Sequence, residues 1–498
     1  MRVIICSILC LFCSLLSGQS EYENVQHSAL QAPGYNKNQG DNFQLRSSDE
    51  DLRQDVYIDS IIVLGNAKTR ERIILREMDL QPGDQIAIAD LTATLQQSER
   101  YLMNTGMFTR ANIRFKDWEG GVNKIQLVVE VEESWYLFPV PLFELADRNF
   151  NVWWVEQRRS FQRVNYGMDF TSLNFTGRMD RLKIGAKFGY TRSFNLRYLL
   201  PYINKKQTIG LLVNMKYSQN REVNYATIQN KQEFFRDDEN FLYSRFFSEL
   251  AFSYRPAIKI FHNFGITYHK NEVDDLIANE LNPDFFLNQK EAQQYFSARY
   301  SFIYDNRDIR AYATNGNYLS FSLEKDGLGL FSDRDGLTVY TLFDKYVSFS
   351  PKWKMALRTG AKVSLKRTQQ PYNDNRALGF GQYTLHGYEY YIVDGLDVGV
   401  IRSSLRYKLF DKKFDLGRMI PVKAYRQMPL KLYLSLNNDV GYVNDPYDPG
   451  QNFLNNRLLW GGGIGLDFIV FYDKVFRFEY SFNDLKEGGL FLHFNLGI

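Results

Sequence analysis

The feature that most constrains this chain is an alternation of apolar and polar residues that recurs from about residue 179 to the last. Leu182, Ile184, Ala186, Phe188 and Tyr190 alternate with Arg181, Lys183, Gly185, Lys187 and Gly189. The same beat returns in Phe194, Leu196 and Tyr198, in Ile209, Leu211, Val213, Met215 and Tyr217, and in Phe296, Ala298, Tyr300 and Phe302. It closes the chain with Leu490, Leu492, Phe494, Leu496 and Ile498. A period of two gives strands with one apolar and one polar face. Repeated over hundreds of positions with a charged second face, it predicts a transmembrane antiparallel β-barrel, with lipid outside and water inside.

Composition agrees. The 498 residues include 33 Tyr and 39 Phe, more aromatic side chain than a soluble core needs and enough for girdles at two membrane interfaces. Mean hydropathy is −0.38, and beyond the N-terminus no run reaches the ~18 consecutive apolar residues of a membrane helix. Residues 1–18 read as a secretory signal, with Arg2, an apolar stretch and Ser17-Gly18 at the cleavage point. Cys6, Cys10 and Cys13, the three cysteines of the chain, all lie within it. The mature chain would then be free of cysteine, which excludes disulfides, thiolate metal sites and thiol catalysis.

Residues 19–54 are polar, lack periodicity and read as a disordered leader. Residues 55–133 read as a β-α-α-β-β module: a β-branched strand to Leu64, a helix capped by Thr69, a helix over 88–104 ended by Gly106, and strands over 108–116 and 124–132 joined at Gly120-Gly121. Residues 134–498 leave room for about 14 to 18 strands of 9–11 residues, with 16 the central value. Polar breaks at 220–240, 271–291, 369–379 and 411–429 are expected as loops on one side.

Within 55–133, Gly65-Asn66, Thr69, Ile74, Arg76-Glu77, Gly83, Gly106-Met107-Phe108 and the closing Val129-Glu130-Val131-Glu132-Glu133 resemble a POTRA domain, of which one copy is found. Three barrel motifs resemble the Omp85 superfamily. The first is Asp305-Asn306-Arg307, followed by Ala313-Thr314-Asn315-Gly316, with Ala313 where the family has Pro. Asp305 and Arg307 share a strand face and would pair in the lumen. The second is Leu385-His386-Gly387-Tyr388, which resembles the loop that folds back into the barrel. His386 stands in place of the family's arginine, which docks on lumen carboxylates. A protonated histidine would donate a weaker, pH-sensitive bond there. The third is the pair of terminal strands, with Arg477 and Glu479 in one and Gly488-Gly489, Leu490, Leu492 and Phe494 in the other.

The resemblance implies a non-enzymatic protein of the bacterial outer membrane, with its POTRA domain in the periplasm. Such a protein inserts other barrels into the membrane, or passes polypeptide or lipid across it. Its implied partners are outer-membrane lipids, unfolded barrel proteins and accessory periplasmic or lipoprotein subunits. The edge strand holding Thr109, Ala111, Ile113 and Phe115 is the expected substrate-docking edge, by β-augmentation. Residues 135–145 are expected to close against 490–498, with Pro139 and Pro141 removing ladder donors and Gly488 and Gly489 adding bendability. That weak seam would open sideways. A translocase for a dedicated substrate shares the architecture, and a passive pore is the third reading, though a pore needs no strand-docking module.

Enzyme signatures are missing: the five histidines are scattered, and there is neither His-Glu-x-x-His nor Gly-x-Ser-x-Gly. Nothing points to a cofactor or nucleic acid, and residues 444–450, where Asp445 and Asp448 could hold calcium weakly, are better explained by Asp-Pro turns. Basic lumen-side positions (Arg181, Lys183, Lys187, Arg197, Lys362, Arg402 and Arg406) read as a solvated inner face or an anion-selective lining.

Overall fold

The computed structural model describes residues 55–494 apart from 117–122, 205, 258, 332, 416, 418–426 and 471–473. The expected signal, the leader, the Gly120-Gly121 turn and the last four residues lie outside the described residues.

The N-terminal module runs β1 (Asp55–Leu64), helix Glu71–Arg76, β2 (Gln85–Ala87), helix Ile88–Asn104, β3 (Phe108–Lys116) and β4 (Lys124–Glu133). Its sheet order is β2-β1-β4-β3, with β1 parallel to β4. The inward faces of these strands and the two helices enclose Ile58, Ile74, Leu102, Ile125, Leu127 and Val129. Burial of each such side chain stabilises the module by roughly 1.5–3 kcal/mol. Two local expectations fail. The three residues of β2 are too few to carry a legible period. Thr69 does not cap the first helix, whose N-cap is Arg70 without a side-chain bond. Its hydroxyl is used elsewhere, accepting from Asn174 Nδ2 at 2.8 Å and lying 3.1 Å from the Tyr136 hydroxyl.

From Leu137 the chain builds a 16-stranded sheet. Its first hairpins are β5 (Leu137–Leu145) with β6 (Val164–Leu173) and β7 (Arg181–Gly189) with β8 (Thr191–Leu200). β9 (Ile209–Asn220) precedes a separate two-stranded hairpin, β10 (Glu222–Ile228) with β11 (Lys231–Arg236). The wall continues through β12 (Tyr243–Ala257), β13 (Ile260–Val273), β14 (Ala292–Asp305), β15 (Gly316–Asp326), β16 (Gly336–Ser348) and β17 (Trp353–Ser364). A long connection holds the short pair β18 (Arg376–Leu378) and β19 (Val393–Asp394). β20 (Asp397–Asp415), β21 (Gln427–Asn444), β22 (Leu458–Val470), β23 (Lys474–Asn483) and β24 (Gly488–Phe494) complete the wall.

Each wall strand pairs antiparallel with its sequence neighbour in the wall, so connections alternate between two rims. The proximal rim meets the module. Arg70 N–H donates to Gly177 O at 3.0 Å, and the Arg76 guanidinium lies 3.3 Å from the centre of the Tyr202 ring. Three of the four polar breaks (220–240, 271–291 and 369–379) lie at the opposite, distal rim. The fourth corrects the expectation: residues 411–415 end β20 and 427–429 begin β21, both strand and both toward the proximal rim, while 416 and 418–426 lie outside the described residues.

The wall is inverted relative to a soluble protein. On β23, Phe478 and Tyr480 are 54% and 55% exposed, while Arg477 and Glu479 are 0% and 1% exposed. Apolar side chains face out and charges face in, the arrangement that lipid outside and a polar lumen require. No helix of the described residues is long and apolar enough to cross a membrane.

Candidate functional site: the inward loop and the barrel seam

Two places hold the chemistry, the lumen around His386 and the gap between the first and last wall strands. The connection between β17 and β20 folds into the lumen. Its apolar residues Leu378, Leu385, Tyr388 and Val393 pack against Val443 and Leu459 of the wall. At its tip, His386 N–H donates to Asp439 Oδ2 at 3.0 Å, and the ring Nδ1 lies 2.6 Å from the same oxygen. Nε2 lies 3.2 Å from Arg477 Nη1 and 3.4 Å from Arg402 Nη2. Nε2 also lies 3.4 Å from Glu479 Oε2, so the ring sits among two carboxylates, Asp439 and Glu479, and two guanidinium groups, Arg402 and Arg477, all from the wall.

The neighbours complete a buried network. Arg477 grips Asp467 with Nε and Nη2 at 2.6 and 2.8 Å, and Tyr312 donates to Asp467 at 2.7 Å. Arg402 Nε donates to Asp439 at 3.1 Å, and Asn437 Nδ2 to Glu479 at 2.9 Å. Gly387 O accepts from Asn483 Nδ2 at 2.7 Å, while the Tyr388 hydroxyl donates to Trp460 O at 3.2 Å and also meets Asp484. The structure thus brings His386, Gly387, Tyr388, Arg477 and Glu479 together.

Asp305 and Arg307 are not part of this group. They pair with each other at 2.9 and 3.0 Å, but Asp305 ends β14 and Arg307 lies in the following turn, at the proximal rim rather than in mid-lumen. Gly316, with φ +105°, closes the turn, where a Cβ would come within 2.5 Å of Asn306 O. In the same turn Asp308 accepts from Thr314 Oγ1 at 2.6 Å and from Thr314 N–H at 2.9 Å. Burial works against its charge, yet these bonds hold its carboxyl below the usual range. Tyr312 then carries this turn into the Asp467 network.

Asp439, Asp467 and Tyr312 went unrecognised in the sequence, and Arg402 was visible there only as one of the basic inner-face positions. The signal that points to them is the run Gly461-Gly462-Gly463-Ile464-Gly465 in β22, since glycine inside a strand marks close approach. A Cβ on Gly465 would lie 3.2 Å from Arg477 Cγ, and one on Gly461 would overlap His386 O. Of the basic lumen positions, Lys187 pairs with Glu144 at 2.9 Å, Lys183 with Asp169 at 2.5 Å and Arg402 with Asp439, so these three belong to ion pairs rather than to a free anion lining.

At the seam, β5 and β24 are the two ends of the wall sheet, and no ladder joins them among the described residues. The position of the prolines can be read from parity. Leu173 N–H donates to Tyr136 O and Ala146 N–H to Arg163 O, so even-numbered residues of β5 bond to β6. Pro139 and Pro141 therefore face the gap. They cost the β5–β6 ladder nothing and remove two donors from the free edge. On the other side, Asn483 N–H donates to Glu487 O, which sets odd-numbered residues of β24 toward β23. Gly488, Leu490, Leu492 and Phe494 turn their peptide groups to the gap.

In the module, β3 is an edge strand, the position a docking role would need. Two details alter the expectation. Ala111, Ile113 and Phe115 pack against the module's core, and only Thr109 of the four is exposed. The Ile113 N–H is already taken by Glu99 Oε1 at 2.7 Å, which blunts the edge at its centre. Glu99→Ala should speed amide exchange at Ile113 and cost the module about 1–2 kcal/mol, measured by hydrogen exchange and urea unfolding.

Comparison with known proteins identifies the class. Residues 56–134 match the POTRA family, described as a surface antigen variable number repeat, and residues 174–396 match the Omp85 superfamily domain. The fold is similar to that of BamA from Haemophilus ducreyi lacking POTRA domains 1–3, with a TM-score of 0.58 at 16% identity over 88% of this chain and 83% of that one. It is also similar to CdiB from Escherichia coli, with a TM-score of 0.53 at 12% identity over 88% and 75% of the two chains. Among curated proteins, none matches this sequence. The chain belongs to the Omp85 superfamily, with one POTRA domain among the described residues followed by the barrel. Proteins of this superfamily are non-enzymatic insertion or translocation factors of the bacterial outer membrane, with POTRA domains in the periplasm.

Proposed function

We propose that this protein is a barrel assembly and insertion factor of the outer membrane, with its POTRA domain in the periplasm. Its clients are unfolded barrel proteins, taken up with accessory periplasmic or lipoprotein subunits and released sideways into lipid. The observation that carries this reading is the seam: a wall of 16 strands whose first and last members share no ladder among the described residues. Breaking an ordinary closure would cost a row of hydrogen bonds at roughly 1 kcal/mol each, whereas among the described residues this seam is bridged by side-chain contacts such as those of Asn151 and Phe150.

Two observations weigh against passage through the lumen, as a translocase or passive pore would need. The inward loop folds into it, held by the His386 network. The distal mouth is also roofed. Asn230 of the β10–β11 hairpin has its N–H on Asn452 Oδ1 at 2.8 Å and its side chain on Ile392 O and Leu454 N–H at 3.1 and 2.9 Å.

The test is reconstitution into liposomes, timing the protease resistance acquired by an added unfolded barrel protein. Full-length protein should accelerate folding over empty liposomes, and protein lacking residues 55–133 should lose most of that acceleration. Ion conductance without acceleration would favour a secretion channel or pore.

A further inference from the structure

On the lipid side of the early wall strands lies an apolar groove of about 750 Å³. Its floor is Ala186, the one outward residue of β7 that ends at a methyl group, where Leu182, Ile184 and Phe188 carry larger side chains. The register sets Met168 of β6 on one side of Ala186 and Phe194 of β8 on the other, and continues the row through Tyr217 and Phe246. Toward the distal rim, Phe188 packs edge-on against Phe194 at 5.9 Å.

Two guanidinium groups stand above this groove. Arg192 is the next outward residue of β8 beyond Phe194 toward the distal rim, and Arg221 follows the last residue of β9. Both are exposed, and both approach one ring, at 4.6 and 4.9 Å from the centre of Phe241. Other cations of this rim hold carboxylates: Lys270 pairs with Glu272 and Lys325 with Asp335, each at 2.6 Å, and Arg236 with Asp238 at 2.7 Å. Among the described residues, Arg192 and Arg221 form no ion pair. The carboxylate whose charge reaches Arg221 is that of Asp237, and its own turn occupies it. Its Oδ1 accepts from the N–H groups of Glu239 and Asn240 at 2.7 and 3.0 Å, and its Oδ2 from Asn240 Nδ2 at 3.0 Å. The Phe241 ring thus steadies two cations whose N–H donors face outward.

We propose that the groove and the Arg192–Arg221 pair form a binding site for a phosphate-bearing lipid of the outer leaflet, with its phosphate on the two guanidinium groups and an acyl chain laid along Ala186. Arginine suits this task, since its planar fork matches phosphate oxygens. The cations and the hollow are stacked in the order of a lipid's head and tail. From Arg192 to Leu196 the strand covers ~14 Å, a depth within one leaflet of a ~30 Å hydrocarbon core. The distal rim lies opposite the periplasmic module, which makes that leaflet the outer one. The site stands whether the barrel inserts its clients or translocates them.

The test holds full-length protein in maltoside micelles with equimolar dilauroyl phosphatidic acid and dilauroyl phosphatidylcholine, and counts bound lipids by native mass spectrometry. The two probes share their chains and differ in the head group. The unaltered protein should retain phosphatidic acid in about tenfold preference, and Arg192→Ala combined with Arg221→Ala should abolish that preference. Ala186→Phe fills the hollow and should cut retention of phosphatidic acid about fivefold or more with both arginines in place. Ala186→Leu serves if the ring disturbs the wall. Lys270→Ala, which removes a paired cation of the same rim, should leave the preference as it was, and a large excess of inorganic phosphate should displace little lipid. A preference that survives loss of both arginines, or that Lys270→Ala abolishes as well, overturns the proposal. Full displacement by inorganic phosphate overturns it in favour of a free-anion site, and retention unchanged in both Ala186 variants overturns the role of the groove.

Discussion

Arg477→Met is expected to cost the barrel about 3–5 kcal/mol and to loosen the inward loop, the largest single-residue effect outside the backbone. Arg477 is fully buried and holds Asp467 through two bonds at 2.6 and 2.8 Å, with Glu479 3.6 Å away. Taking away the guanidinium leaves both carboxylates in a site with no cation of comparable geometry. It also removes one of the two guanidinium groups beside His386 Nε2. Arg477→Lys should recover only part of the loss, because an ammonium does not reproduce the two-pronged contact. The temperature at which the barrel loses its folded electrophoretic mobility measures this. Adding Asp467→Asn to Arg477→Met should restore part of the stability, since the orphaned charge goes with it. Additive losses would show that the pair does not act as a unit.

The second large effect is steric. Gly387→Val should expel the inward loop and turn a plugged barrel into a conducting one. Gly387 has φ +84°, and a Cβ there would lie 2.6 Å from Phe482 O and 2.7 Å from Phe482 C, both backbone atoms of β23. The left-handed conformation alone costs a branched residue about 1–2 kcal/mol, and overlap with a wall strand adds at least as much. Gly461→Ala attacks the same contact from the wall, against the His386 carbonyl. Both variants should raise single-channel conductance in planar bilayers and expose residues 365–396 to protease. Gly381→Ala is the control within the same loop, because no atom lies within 4 Å of its Cβ position; its φ of +55° costs a little and obstructs nothing. A conductance unchanged by Gly387→Val would mean that another part of the fold closes the lumen.

Much of this architecture is legible without coordinates. Alternation in runs such as 182–190 and 209–217 specifies which face of each strand meets lipid, because side-chain direction follows residue parity alone. The module could be read because caps, turns and helical periods act within a few residues; its one missing strand, Gln85–Ala87, is too short to show a period. β6 alternates as well, with Tyr166, Met168 and Phe170 outward against Gly167 and Asp169, but it lies before the run over which the period is read. His386, Gly387 and Tyr388 were visible as a motif, and Arg477 and Glu479 as polar members of a terminal strand. That these five residues meet was not derivable from the spacing of one chain, since 91 positions separate His386 from Arg477. The counter-charges Asp439 and Asp467 were hidden among ordinary inner-face residues.

The seam divides the two kinds of information most clearly. Pro139 and Pro141 announce a strand with missing donors, but not the direction in which those donors are missing. That depends on which parity of β5 bonds to β6, a matter of register that only the assembled sheet decides, and it turns the prolines from a weakness in the ladder into a guard on the free edge. Asn151 is likewise an unremarkable residue of a polar turn until the chain returns, 341 positions later, and lays Leu492 against its amide. By itself the sequence determined the barrel, its polarity toward lipid, its attached module and the motifs of its loop, because these follow from local periodicity and turn chemistry. Only the tertiary structure decided the partners of each buried charge, the faces of the two prolines and the contact of Asn151 with the last strand, because hydrogen bonds are directional and their partners here come from distant parts of the chain.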